Sequence, residues 1–353
     1  MNATAVTIFL AATILWFLLP LLPAIIELLR PTDLAPLTVV PRDAGDVAFL
    51  AKGFRGYLAG QLDRLPAETP ADFLGRLPDG TLFGRVREAT GVLAPGQATV
   101  QDRVMVLETG APVPGDQTFV QEIHARAPFL GGPRTAYRAI LADQGATLGE
   151  GSRVLRWIHA AGPLDIGAGS ALAGRASSDR AVRLGPGVRF DRIGAPEIVT
   201  SGTAPAAPAP TAPRTPFVPP EDARRIGDHL RIEADLHLPA GTDVDGNLVV
   251  RGRLVVGRGS RIRGSIKTHG EILIEPEVEI TGSLVSRAPI SVGQGGFVAG
   301  PIIGEDEVRI AAGSVIGTGG APTTIAARTL TLGPATTIFG QITTQAGGTT
   351  ATT

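Results

Sequence analysis

Residues 236–342 repeat a short apolar pattern every eighteen positions. Leu236, Leu254, Ile272, Ile290 and Val308 fall in one column, and Leu238, Val256, Ile274, Val292 and Ile310 in a second, two residues on. Val244, Ile262, Ile280, Val298 and Ile316 make a third, and Leu248, Ile266, Leu284 and Ile302 a fourth. Gly246, Gly264, Gly282 and Gly300 fill a corner column. After Val308 the next line starts at Leu330, four residues late, and continues through Leu332, Ile338, Gly340 and Ile342, so residues 318–324 are expected to bulge as a loop. Aliphatics two apart in short bursts, at a fixed period and broken by glycine, mark a β-solenoid. Spacing of two puts them on one face of each strand, the inside of the coil. No rung buries its own apolar face, so rungs stack at about 4.8 Å, and about six of them make a rod of roughly 30 Å.

The period returns earlier in the chain. Leu148, Ile166 and Leu184 are eighteen apart, as are Gly151, Gly169 and Gly187, and Val154, Leu172 and Phe190. Leu130 and Ile140 fit one earlier turn less closely. A first solenoid segment is therefore expected over residues 118–200 and a second over 229–342. Between them, residues 201–228 form a Pro/Ala-rich linker or extruded loop, with seven prolines within 203–220. Such a stretch neither pairs in a sheet nor continues a helix. Leu184 and Leu236 are 52 apart, which is not a multiple of eighteen, so one interrupted rod and two separate rods are both open. The tail, 343–353, is mostly Thr, Gly and Ala and reads as disordered.

Charge follows the same period. Asp235, Arg253 and Glu271 form one column and Asp243, Arg261 and Glu279 another, each an alternating-sign ladder up the outside of the rod. Opposite charges on neighbouring strands contribute roughly 0.2–1 kcal/mol a pair. Arg251, Arg253, Arg258, Arg261, Arg263 and Lys267 also make a basic stretch with no acid among them. Pairing to the rungs above and below accounts for it more cheaply than a polyanion site.

The N-terminus adds a membrane element. Residues 6–29 are apolar apart from Thr7, Thr13 and Glu27. At about 1.5 Å per residue this spans a hydrocarbon core of roughly 30 Å, so residues 1–30 read as a transmembrane anchor. A cleaved signal peptide is the alternative, but it would want a basic start and a shorter apolar core. Arg30, Arg42, Lys52 and Arg55 follow the span, which places the body in the cytoplasm as a single-pass inner-membrane protein. Residues 31–117 are a mixed connecting region with an amphipathic helix, in which Val47, Leu50, Phe54, Leu58, Leu62 and Leu65 are three or four apart. That helix either caps a solenoid end or lies on the membrane.

The 353 residues carry a formal net charge of −1, so no global field draws nucleic acid, and the absence of cysteine excludes disulfides and thiolate metal sites. Gly at 46, Pro at 29 and aromatics at 5% suit a thin repetitive β-structure better than one thick core.

The recurring G-x-[IL] element, as Gly246-Asn247-Leu248, Gly264-Ser265-Ile266, Gly282-Ser283-Leu284 and Gly340-Gln341-Ile342, alternates with short [LIV]-x-[LIV] strands. Over residues 230–342 this resembles the bactofilins, polymer-forming bacterial cytoskeletal proteins. The resemblance implies an all-β, right-handed β-helix whose rods join end to end without nucleotide, sit at the membrane, and scaffold cell-envelope enzymes. The chain departs from that pattern in having a further solenoid segment before the proline-rich stretch, a neighbouring rod able to block one end of the bactofilin-like one.

Catalysis has rival readings on related coils. Eighteen is three sixes, and a left-handed hexapeptide acyltransferase fits the first segment passably, but in the second segment the six-residue column runs into Thr268 and Ser286. Acyl transfer would need a general base, usually His. None of His124, His159, His229, His237 and His269 has a carboxylate at a suggestive spacing, and a metal site needs a cluster of ligands while no His pair at i, i+4 exists. Glu275, Glu277 and Glu279 with Arg258 would be the groups of a polysaccharide lyase, though ladder pairing accounts for part of that set. The sequence therefore favours a non-enzymatic scaffold without cofactor, with an envelope polysaccharide-modifying enzyme as the alternative. Its self-assembly surface is expected at the C-terminal rung, Leu330, Leu332, Ile338, Phe339 and Ile342, since no charged residue follows Arg328 and no helix covers the end.

Overall fold

The computed structural model describes residues 2–22, 46–65, 73–87, 100–203 and 214–352. Residues 1–46 form one unit and residues 47–353 another.

In the first unit, the helix Ala3–Leu18 runs into a 3₁₀ turn, Leu19–Leu21. Pro20 has no N–H for the i−4 carbonyl, which ends regular α-helix there. Phe9, Leu15, Trp16 and Phe17 are exposed. Among the described residues no helix is long and apolar enough to cross a membrane, so the span expected over 6–29 is not seen as a transmembrane helix. Residues 23–29 lie outside the described residues.

The second unit is a β-solenoid of about fourteen turns. Each turn has three faces. In the C-terminal arm one turn runs Leu254–Val256, Arg261–Arg263 and Ile266–Thr268. From His229–Ile232 to Phe297–Val298 the strands pair in parallel with their counterparts eighteen residues on, as Leu254 with Ile272, Arg261 with Glu279 and Ile266 with Leu284. The alternating aliphatics all turn inward and are buried. Each contributes about 1.5–3 kcal/mol of burial, but only because its neighbours stack above and below. The corner glycines serve close stacking. A Cβ on Gly264 would lie 2.3 Å from the Gly246 carbonyl oxygen. Past residue 310 the turn lengthens: Val308 pairs with Leu330, and a bridge between Thr318 and Ala321 closes the inserted loop.

The N-terminal arm is less regular and longer than the eighteen-residue pattern shows. Its third-face strands include Leu82–Val86, Val104–Leu107, Thr118–Ala125 and Ala136–Ala142. Parallel pairing runs from Phe83 to Val104, Met105 to Ile123, Ile123 to Ile140 and Ile140 to Ile158. The coil thus starts before residue 118, inside the stretch expected to be connecting structure. Rings fill this arm. Phe119 stacks on Tyr137 at 5.4 Å, and Phe129 meets the same ring edge-on at 5.6 Å.

The arms meet through their last rungs. Arg189–Thr200 pairs antiparallel with Thr337–Thr350, matching Ile193 to Ile342, Gly194 to Gln341 and Ile198 to Ile338. Two coils presented by the same kind of end run in opposite senses, so their edges match only in antiparallel pairing. This corrects two expectations. The tail is strand through Thr350, because its backbone finds partners on both sides: Arg189–Thr200 on one, Thr323–Ala327 and Thr329–Leu332 on the other. The C-terminal rung is not an open end either. Leu330, Leu332, Ile338 and Ile342 are buried, and Phe339 is half-buried beside the inserted loop at Gly317 and Gly319.

The proline-rich stretch is partly structure. Residues 204–213 lie outside the described residues, but Thr215–Pro216 pairs with Thr242 and Asp243, and Arg224–Ile226 makes a hairpin with His229–Ile232. Thr215 and Phe217 donate their N–H groups to Gly241 and Asp243 while Pro216, with none to give, takes the outward-facing position of an edge strand.

The amphipathic helix, Phe49–Leu62, neither caps an end nor stands alone. It packs along the third face of the N-terminal arm. Leu50, Ala51 and Phe54 cover Ala139, Leu141 and Trp157, and Leu58 joins Leu77, Phe83, Val104 and Val106. Phe54 and Trp157 are 5.6 Å apart between ring centroids.

Candidate functional site

Outward positions of the third face carry the chemistry, and the two arms use them differently. In the N-terminal arm one outward column runs Val106, His124, Leu141, His159, Ser177 and Gly194. Two histidines there have partners that the sequence reading missed. His124 Nε2 lies 2.7 Å from Asp143 Oδ2, and Arg55 of the flanking helix reaches the other oxygen at 3.0 Å. Burial pushes the His124 imidazole below its usual range, against the opposing pull of Asp143. His159 Nδ1 is 2.9 Å from Ser177 Oγ, with Asp179 at 3.8 Å from Nε2. The clue lay in the period. Residues eighteen to twenty ahead of a histidine sit on the next rung beside it, so Asp143, Ser177 and Asp179 are neighbours in space. Serine, histidine and aspartate together invite a nucleophilic reading. His159 and Ser177 are only 3% and 5% exposed, so a substrate carbonyl has no approach to Oγ. These groups anchor the helix-covered face.

In the C-terminal arm the same face is open and forms a groove of about 640 Å³. Its lining includes His229, Arg231, Arg251, Lys267 and His269, with Val249 and Val285 between them. The floor is polar along one row. Asn247 Oδ1 accepts the Ser265 N–H at 2.7 Å, and Ser265 Oγ accepts the Ser283 N–H at 3.1 Å. Glu233 holds Arg231 at 2.6 Å and Arg251 at 3.2 Å. Desolvation raises the Glu233 carboxyl, but its bonds to Arg251 and Arg231 outweigh that and keep it below the usual carboxylate range. Lys267 is exposed and has no carboxylate partner among the described residues.

The charge columns sit on the other outer faces. Asp243 aligns with Arg261 and Arg261 with Glu279 in register. Arg261 binds Glu279 at 2.6 Å, while Asp243 takes Arg263 at 3.0 Å instead. Arg253 binds Glu271 at 3.0 Å, and Asp235 accepts the Arg253 backbone N–H at 2.7 Å. Arg258 pairs with Glu277. The basic stretch is therefore mostly neutralised rung by rung, Lys267 excepted. Among the described residues no group of His, Asp and Glu is placed to hold a metal.

No family model, no curated protein and no solved structure matches the chain.

Proposed function

We propose that the protein is a non-enzymatic, self-assembling scaffold of the bacterial inner membrane, bactofilin-like in its right-handed coil, that organises cell-envelope enzymes from the cytoplasmic side. The observation that carries this reading is the junction. Within one chain, two solenoids already join end to end by backbone strand pairing, Arg189–Thr200 with Thr337–Thr350. The remaining ends belong to the N-terminal rung of each arm. There Phe73–Arg76 and Arg224–Ile226 each pair on one side only among the described residues. An unpaired strand edge invites another chain. These outer ends replace the C-terminal rung as the place of assembly. The helix Ala3–Leu18, apolar on its exposed surface, seats the rod at the lipid.

Negative-stain electron microscopy of the full chain in mild detergent tests the reading. Fourteen rungs give a rod of roughly 65 Å, and filaments or chains built from units of that length are expected. Single rods at every concentration would overturn it.

A further inference from the structure

We infer that the open third face of the C-terminal arm seats an amphipathic helix of a partner protein, one whose contacting side alternates acidic and aliphatic residues. The first ground is continuity. The third faces of the two arms run into one another at the junction, where Ile193 meets Ile342 and Gly194 meets Gln341. The chain covers its own half of this stripe with the helix Phe49–Leu62, which starts beside the junction: a Cβ on Gly194 would touch Val47. Among the described residues no helix covers the other half. Its outward column, from the junction outward, is Ala326, Ile303, Val285, Lys267, Val249 and Arg231. Ile303 is 44% exposed.

Geometry selects a helix. A helix advances about 5.4 Å per turn and the coil about 4.8 Å per rung, so residues at i, i+4 and i+7 meet successive rungs. An extended peptide gains little here. The strands beneath spend their N–H and C=O groups on the parallel ladder, and the face offers it no edge. A helix brings its backbone already paired.

Charge selects the partner. Among the described residues Lys267, between Val249 and Val285, has no carboxylate partner, and Arg231, Arg251, His229 and His269 surround it; the acids there are already engaged, Glu233 by Arg231 and Arg251 and Asp228 by His229 and Asn247. The two described α-helices of the chain do not fit. Phe49–Leu62 carries Lys52 and Arg55 and no acid, and Ala3–Leu18 carries no charge. An acid one turn from aliphatic residues would meet Lys267 while the aliphatics meet Val249 and Val285.

The inference draws its biological meaning from the scaffold reading, but its test scores groove occupancy whatever the assembly state, so the two fail separately. The probe is a labelled synthetic helix with Glu and Leu alternating along one side at i, i+4 and i+7 and alanine elsewhere. Fluorescence anisotropy with the full chain should show saturable binding. A shuffled peptide of equal composition and polyglutamate of equal charge should bind at least about tenfold more weakly. Lys267→Glu should weaken the helical probe about tenfold, and Lys267→Gln by less, with the β signal in circular dichroism unchanged. Equal binding of the shuffled peptide or polyglutamate, or no loss with either variant, would overturn the inference.

Discussion

The two arms wear the same rung and treat its third face in opposite ways. Ser152 and Ser260 occupy equivalent buried turn positions, and five residues later stand Trp157 in one arm and Ser265 in the other. Two residues on come His159 and Lys267. Trp157 is buried under Phe54 of the flanking helix, while Ser265 lines an open groove. Inside the coil the arms differ as well, with Phe119, Phe129 and Tyr137 buried in one and, among the described residues, no fully buried ring in the other, whose interior is aliphatic apart from small polar residues such as Thr268 and Ser286. The inward positions decide whether a rung stacks. The outward ones decide what the rod meets, because a solenoid's backbone is already satisfied on every face.

Breaking the seam between the arms should have the largest effect. Ile342→Asp would bury an unpaired carboxylate opposite Ile193. A loss of about 4 kcal/mol or more is expected, with the shared calorimetric transition splitting as the arms uncouple. Unchanged melting would mean the junction does not couple them. The contrast between the third faces comes next. Trp157→Ala should cost about 3 kcal/mol in chemical denaturation and expose residues 46–65 to protease, whereas Ser265→Ala, which gives up only the hydrogen bond from the Ser283 N–H, should cost about 1 kcal/mol. Equal costs at the two positions would erase the distinction between covered and open faces.

The smallest effect concerns pH. His124 is held neutral, its folded pKa below the unfolded value of about 6.5. Between those two values the unfolded chain binds the extra proton. The stability this site contributes is therefore complete above about pH 6.5 and is lost as pH falls toward the folded value. Hydrogen exchange should show amides of Phe49–Leu62 losing protection on acidification from neutrality, with the groove strands of the other arm unaffected. His124→Gln should remove the difference.

Much of the C-terminal arm was legible as sequence. Leu254, Ile272 and Ile290 announce their stack because a parallel coil repeats one environment at a constant chain interval. The N-terminal arm was half legible. From Ile123 to Ile140, and from Ala176 to Ile193, the step is one residue short of eighteen, and β-bulges break the strands at Phe119, Tyr137 and Leu172. An eye set to eighteen loses the column there, and so missed the earlier rungs at Phe83 and Met105. The candidate site was the least legible part. A search for carboxylates near histidines along the chain overlooks Asp143, which lies beside His124 only because one full turn separates them.

By itself the sequence determined the rung: alternation of two, turns marked by glycine, a period of eighteen, and charges placed to neutralise one another between neighbours. These are local and repeated properties, so every copy of the pattern reinforces the same conclusion. Tertiary structure decided the rest. Thr337–Thr350 has too few large apolar residues to declare itself a strand, and it becomes one because Arg189–Thr200, about 150 residues away, supplies its missing ladder bonds. The helix Phe49–Leu62 announces that one of its sides will be buried, but only the row of Ala139, Leu141 and Trp157 determines against what. Backbone donors and acceptors carry no residue identity. Which ends join, and which face is left open beside Lys267, therefore follows from how the arms meet rather than from any stretch read alone.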